Sequence, residues 1–250
     1  MSTNPSHDFT WRHAVLAFLL LFPLVLLLMF EPIPQDATYH HFVETGRFLG
    51  IPNFFDVISN LAFLLVGTVG IAFCLKHHTG PGHRAWLVLF IGVSLVSVGS
   101  FYYHWSPSNE TLVWDRLPMS IGFMGFLAAL LSEYVDRRLS TLLVPLIIIG
   151  IGSVLYGHYF EDLRLYVWVQ FIPLLTLPFF MVLFKSRFTH QGLLLSALVL
   201  YAFAKGAEAY DAAVFQMTGE AVSGHTVKHL LAAASCYTVL IMLQRRKLKV

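Results

Sequence analysis

The chain has 250 residues, 57% of them hydrophobic and only 12% charged, with a formal net charge of +2. A soluble domain carries about twice that share of charge, so a soluble enzyme is excluded, and the near-neutral total gives no ground for a nucleic-acid partner. Cys74 and Cys236 lie in separate apolar segments, which leaves neither a disulfide framework nor a CxxC metal knuckle.

Eight continuous apolar runs are long enough to cross a bilayer as helices, which takes about 17–25 residues. The first, 13–30, follows Arg12 and is followed by Glu31-Pro32-Ile33-Pro34 rather than a small-residue cleavage pattern. It therefore reads as a retained anchor and not a signal peptide. This divides the chain into a tail and anchor helix, 1–35, and a seven-span core, 36–250. Within the core, the runs 54–75 and 85–105 come first, the latter ending on Ser100 and His104. The run 113–134 opens on Asp115, and 141–159 is nearly pure hydrocarbon. Next come 165–184, then 191–210 with Lys205 and Glu208 near its end. The last, 223–244, opens on His225 and His229. Continuous rather than alternating hydrophobicity selects helices over strands, so the expected fold is an all-α polytopic membrane bundle. Pro145, Pro173 and Pro178 fall inside spans, where packing kinks are the ordinary reading.

Basic residues orient this bundle. With Arg245, Arg246, Lys247 and Lys249 in the cytoplasm, the alternate connections receive Arg12, Lys76, Arg84, Arg137, Arg138, Lys185 and Arg187. The opposite side receives only Arg47 and Arg164, and holds Asp36, Glu44, Glu110, Glu161, Asp162 and Glu220. Both termini are thus expected in the cytoplasm.

Depth then singles out five polar residues. His104 lies 20 residues beyond Arg84, His225 lies 20 before Arg245, and Asp115 lies 22 before Arg137. At 1.5 Å per residue each separation is roughly 30 Å, the hydrocarbon thickness. Ser100 and His229 lie 16 residues from their anchors, roughly 24 Å. All five therefore share one slab near the non-cytoplasmic face, where ionisable groups inside spans mark a functional site.

His225 and His229 share a helix face, as two ligands of a tetrahedral zinc would, with His104 as a third. Against this, a chain with 12 histidines produces such a pair by chance, and an outer histidine is often a headgroup contact. Under the metal reading, Asp115 moves protons, and Ser100 stabilises an oxyanion or orients water. Alternatively, Asp115–Arg116 is an interfacial ion pair and Ser100 bonds the carbonyl four residues back. His158, Lys205, Glu208, Asp211 and Lys228 share the slab. Of these, His158, Lys205, Glu208 and Lys228 are candidates for substrate binding or for supporting the ligands. Trp105, Trp114 and Trp168 read as an aromatic belt.

Ser100-Phe101-Tyr102-Tyr103-His104, Asp115 eleven residues later, and His225-Thr226-Val227-Lys228-His229 together resemble the alkaline ceramidase family. That family belongs to a superfamily of seven-helix membrane hydrolases that also includes adiponectin-receptor-like and GPI-remodelling proteins. The resemblance covers roughly 36–245, and Asn53-Phe54-Phe55-Asp56-Val57-Ile58-Ser59-Asn60 resembles the signature of the first core helix. It implies Zn2+ on His104, His225 and His229, with Ser100 and Asp115 in catalysis. It also implies hydrolysis of a ceramide-like membrane lipid to a sphingoid base and a fatty acid. The first span is extra relative to a seven-helix core. Ceramidases that bind calcium carry an acid-rich segment before the core. Here that region runs from Asp36 to Glu44, and Asn53 stands where an acid is expected, which argues against a calcium site. The compact form fits a bacterial inner membrane.

Two rivals come from other classes. A transporter needs polar groups at several depths, whereas the stretch from Leu142 to Ile151 offers almost none. A metal-stabilised receptor keeps the metal but has no use for Asp115. A related hydrolase acting on another amide or ester lipid stays within the same chemistry.

Overall fold

The computed structural model describes residues 10–249; the tail before Thr10 and the final Val250, parts of the expected 1–35 and 36–250 divisions, lie outside the described residues. Ten α-helices follow one another among them: α1 (Trp11–Leu28), α2 (Phe54–Ile58), α3 (Leu61–Lys76), α4 (His83–Trp105), α5 (Asn109–Leu130), α6 (Leu143–Phe160), α7 (Arg164–Leu183), α8 (Gly192–Ala209), α9 (Asp211–Met217) and α10 (Gly224–Arg245). A π turn over Leu131–Val135 extends α5, and α2 runs into α3 as a single stretch, Phe54–Lys76. Eight helical stretches among the described residues are long and apolar enough to cross a membrane. This is the polytopic helical bundle that the hydropathy pattern implies.

The boundaries move for local reasons. α5 starts at Asn109, earlier than the expected 113, because the Ser108 side chain accepts from the Thr111 N–H and caps the first turn. The seventh run stops at Ala209, and the stretch after it, opening on Asp211, folds as the separate short α9, which is too short to be announced by apolar periodicity. Pro145 sits in the first turn of α6, where its missing N–H costs little, whereas Pro173 and Pro178 are interior to α7. Pro23 and Pro118 are interior to α1 and α5 as well.

Pro118 bears on the site. Having no N–H, it leaves the Trp114 carbonyl without its helical partner. That carbonyl faces Gly99 of α4, where any Cβ would collide with it. The two backbones therefore touch one residue away from both Ser100 and Asp115. A second close approach starts α10: a Cβ on Gly224 would meet the Ala207 carbonyl of α8.

The helices close into a ring, with α4 against α3 and α5, α8 against α10, and α10 back against α3. Contact between α7 and α8 is sparse. α1 stands outside this ring and packs on α7, where the Trp168 indole, only 8% exposed, donates to the Leu20 carbonyl at 2.9 Å. Trp168 is thus a packing group between helices and not part of an aromatic belt, because α1 covers it; Trp105 and Trp114 are exposed on the outside of the bundle. The linker after α1 is tied down by Asp162. This carboxylate accepts from Arg164 at 2.7 Å and from the Ile33 N–H at 3.4 Å, while Arg164 also donates to the Phe30 carbonyl at 2.5 Å.

Candidate metal centre

Three helix ends meet at one end of the bundle. α4 contributes Ser100 and His104 near its C-terminus, α5 contributes Asp115 near its N-terminus, and α10 contributes His225 and His229 in its first two turns. All five side chains are buried. One nitrogen from each of His104, His225 and His229 lies within 4.8 Å of the others. The Nε2 atoms of His104 and His225 are 3.2 Å apart. Three imidazoles turned nitrogen to nitrogen, with no carboxylate bridging them among the described residues, form a donor set suited to a cation. Ser100 and Asp115 both line the cavity that opens from these histidines, whereas Ser97, one turn earlier, donates to the Ser94 carbonyl in the ordinary helical manner.

The turn before α3 holds this arrangement in place, and sequence reasoning assigned it no role. Asn53 Nδ2 donates to the His104 carbonyl at 2.9 Å. Asp56 Oδ1 accepts from the hydroxyls of Ser223 at 2.9 Å and Thr226 at 2.5 Å, pinning the first turn of α10. Ser59 Oγ donates to the Asp56 carbonyl and lies 2.8 Å from His229 Nδ1. With the hydroxyl proton spent on that carbonyl, Ser59 accepts from Nδ1–H, which leaves the Nε2 lone pair of His229 free to ligate. Asn53, Asp56 and Ser59 thus each support an element that carries a histidine, whereas the Asn60 amide donates within its own turn to the Asp56 and Val57 carbonyls. The motif itself was visible, but its partners, some 50 to 170 residues away, were not. Asp211 likewise accepts from the His225 N–H at 2.8 Å, so its task is to cap α10.

Phe42 covers the site from the loop after α1, with its ring 4.7 Å from that of His104 and 5.2 Å from that of His225. Two residues on, burial pushes the Glu44 carboxyl above the ordinary carboxylate range, and the N–H groups of Gly46, Asp56 and Phe55 pull it back.

A cavity of about 270 Å³ runs from these residues into the bundle. Its site end is polar, with Ser100, Asp115, Arg116, His229, Lys205, Glu208 and Lys228; its deep end is apolar, from Phe63 and Val93 to Leu177, Leu194 and Val239. Lys228 Nζ lies 2.9 Å from Glu208 Oε1 and 2.9 Å from His225 Nε2. Of the four residues singled out for the substrate, Lys205, Glu208 and Lys228 thus line the cavity, while His158 lines a second cavity of about 260 Å³ alongside Glu110 and Glu161.

Fold and site together define a class: a multi-pass membrane protein with a buried three-histidine cluster that can hold a metal ion, opening into a largely apolar cavity. The family model described as Ceramidase matches residues 50–249, and the chain belongs to the ceramidase family. It is accordingly a ceramidase-like hydrolase of amide C–N bonds. No curated protein matches the chain.

Proposed function

We propose that this protein is a zinc-dependent intramembrane amidohydrolase that cleaves ceramide-like lipids to a sphingoid base and a fatty acid. The observation that carries this reading is the convergence of His104, His225 and His229 with Asp115 and Ser100 at the polar end of an apolar cavity. Three nitrogens, each about 2.0–2.1 Å from a tetrahedral zinc, stand roughly 3.3 Å from one another. The 3.2 Å between two of the Nε2 atoms supports that geometry.

When bound there, zinc supplies Lewis acidity that makes water a usable nucleophile near neutral pH. The remaining work belongs to the chain. Asp115 accepts the proton of the attacking water and returns it to the amide nitrogen as the C–N bond breaks. Ser100 donates to the Asp115 carboxylate or to the developing oxyanion, and attacks nothing itself. The apolar walls receive a hydrocarbon chain, and the sparse α7–α8 seam supports lateral entry from the lipid. Lys205, Glu208 and Lys228 contact the polar part of the substrate. The charge asymmetry of the loops supports cytoplasmic termini and a site near the opposite face, and the compact form fits a bacterial inner membrane.

Purified protein incubated with a defined ceramide should release equimolar sphingoid base and fatty acid by mass spectrometry, and chelation should stop this until zinc is restored. Intact lipid in the presence of stoichiometric zinc would reject the hydrolase reading and favour a metal-stabilised receptor. A tag after Val250 should resist external protease in intact cells; its cleavage would reverse the orientation.

A further inference from the structure

One acid is shared by two bases at the mouth of the cavity. Glu208 Oε1 accepts from Lys228 Nζ at 2.9 Å, and Lys205, one turn earlier on α8, pairs with the other carboxylate oxygen. Of the five acidic and basic residues lining the cavity, two carry a negative and three a positive charge, so one positive charge is left over. A surplus ammonium beside apolar walls within a membrane span is costly unless an anion meets it. Lys228 is the group best placed to meet one. Its Nζ lies 2.9 Å from His225 Nε2, so an oxygen held between the histidines and Asp115 is within its reach. Glu208 anchors the ammonium there, and Lys205 occupies the second carboxylate oxygen, which leaves Lys228 only partly neutralised.

Amide hydrolysis creates the matching anion. Water oxygen bonds to the carbonyl carbon, the C–N bond breaks, and the proton released by the carboxylic acid ends on the amine. The products are one carboxylate and one ammonium. We propose that Lys228 is the carboxylate-binding group of this cavity, retaining the fatty-acid anion after hydrolysis and making free fatty acid a competitive product inhibitor. This rests on the hydrolase reading for its source of anion, but the binding itself requires no turnover.

The test compares a long-chain fatty acid with the fatty alcohol of the same chain length, at alkaline pH, on purified full-length protein in nanodiscs. Affinities are measured by displacement of a fluorescent fatty-acid probe, on zinc-loaded and on chelated protein. In both states the wild type should bind the acid about ten-fold more tightly than the alcohol. Lys228→Met should abolish that preference by weakening acid binding about ten-fold more than alcohol binding, and Lys228→Arg should keep it. Glu208→Gln should raise the acid-to-alcohol ratio, because the ammonium loses its resident counter-charge; a residue needed only for folding would lower it. The proposal is overturned if Lys228→Met keeps the preference, if the wild type has none, or if the preference vanishes on chelation. Should Lys228→Met fail to bind even the alcohol, the Glu208→Gln ratio decides, a rise supporting the proposal and a fall rejecting it. Ceramide turnover on the same preparations separates the two readings. Acid preference without turnover removes the hydrolase and leaves the anion site, and turnover without acid preference does the reverse.

Discussion

At opposite ends of α10 the bundle buries two polar clusters of opposite character. Beyond the C-terminus of α10, Arg246 donates to both oxygens of Glu133, each at 2.7 Å, with the two side chains only 4% and 1% exposed. The Trp86 indole donates to Glu133 Oε1 at 2.7 Å, Arg246 also bonds the Thr79 carbonyl, and its guanidinium lies 4.2 Å from the Phe188 ring centre. Among the described residues, no buried side-chain nitrogen or oxygen of that cluster lacks a partner. At the N-terminal end of α10, His104 and His225 direct nitrogens at each other, and His104 Nδ1 has no partner among the described residues. A polar cluster that satisfies itself holds a structure together; one that leaves convergent lone pairs is arranged for something else. Burial alone does not tell them apart.

Mutations should break this contrast in different currencies. His225→Ala should have the largest effect, removing metal by elemental analysis and reducing turnover to background, while the melting temperature of the metal-free protein changes little. A triple variant lacking all three histidines that still held full zinc would reject the ligand assignment. Asp115→Asn should keep the metal and lower turnover about 10²–10⁴-fold, the usual worth of positioned proton transfer. Glu133→Ala should do the converse. Leaving Arg246 buried without its partner should cost about 3–5 kcal/mol of stability in a denaturation experiment, with zinc per folded molecule unchanged.

Ser59→Ala should weaken zinc binding about 10–100-fold in a competition with a chelator, because His229 then loses the group that sets its tautomer. The smallest effect belongs to the linker clamp. The bond from Arg164 holds Asp162 below the ordinary carboxylate range, so its contribution is present at neutral pH and is lost as pH falls below about 4. Asp162→Asn should flatten the acid side of the melting-temperature profile and leave the alkaline side as it was.

The sequence by itself determined the number of spans, their approximate limits and the common depth of Ser100, His104, Asp115, His225 and His229. Bilayer thickness and helical rise are fixed lengths, and hydropathy is a local property. The order and spacing of these five were also enough to suggest the family. Tertiary structure alone decided that the three imidazoles meet, that Ser59, Asp56 and Asn53 hold them, and that Trp168 lies beneath α1. It also decided that Lys228 shares the cavity while His158 does not. These depend on which faces of distant helices pack together, and that is set by close approaches such as Gly99 against Trp114, which leave no periodic trace in the chain.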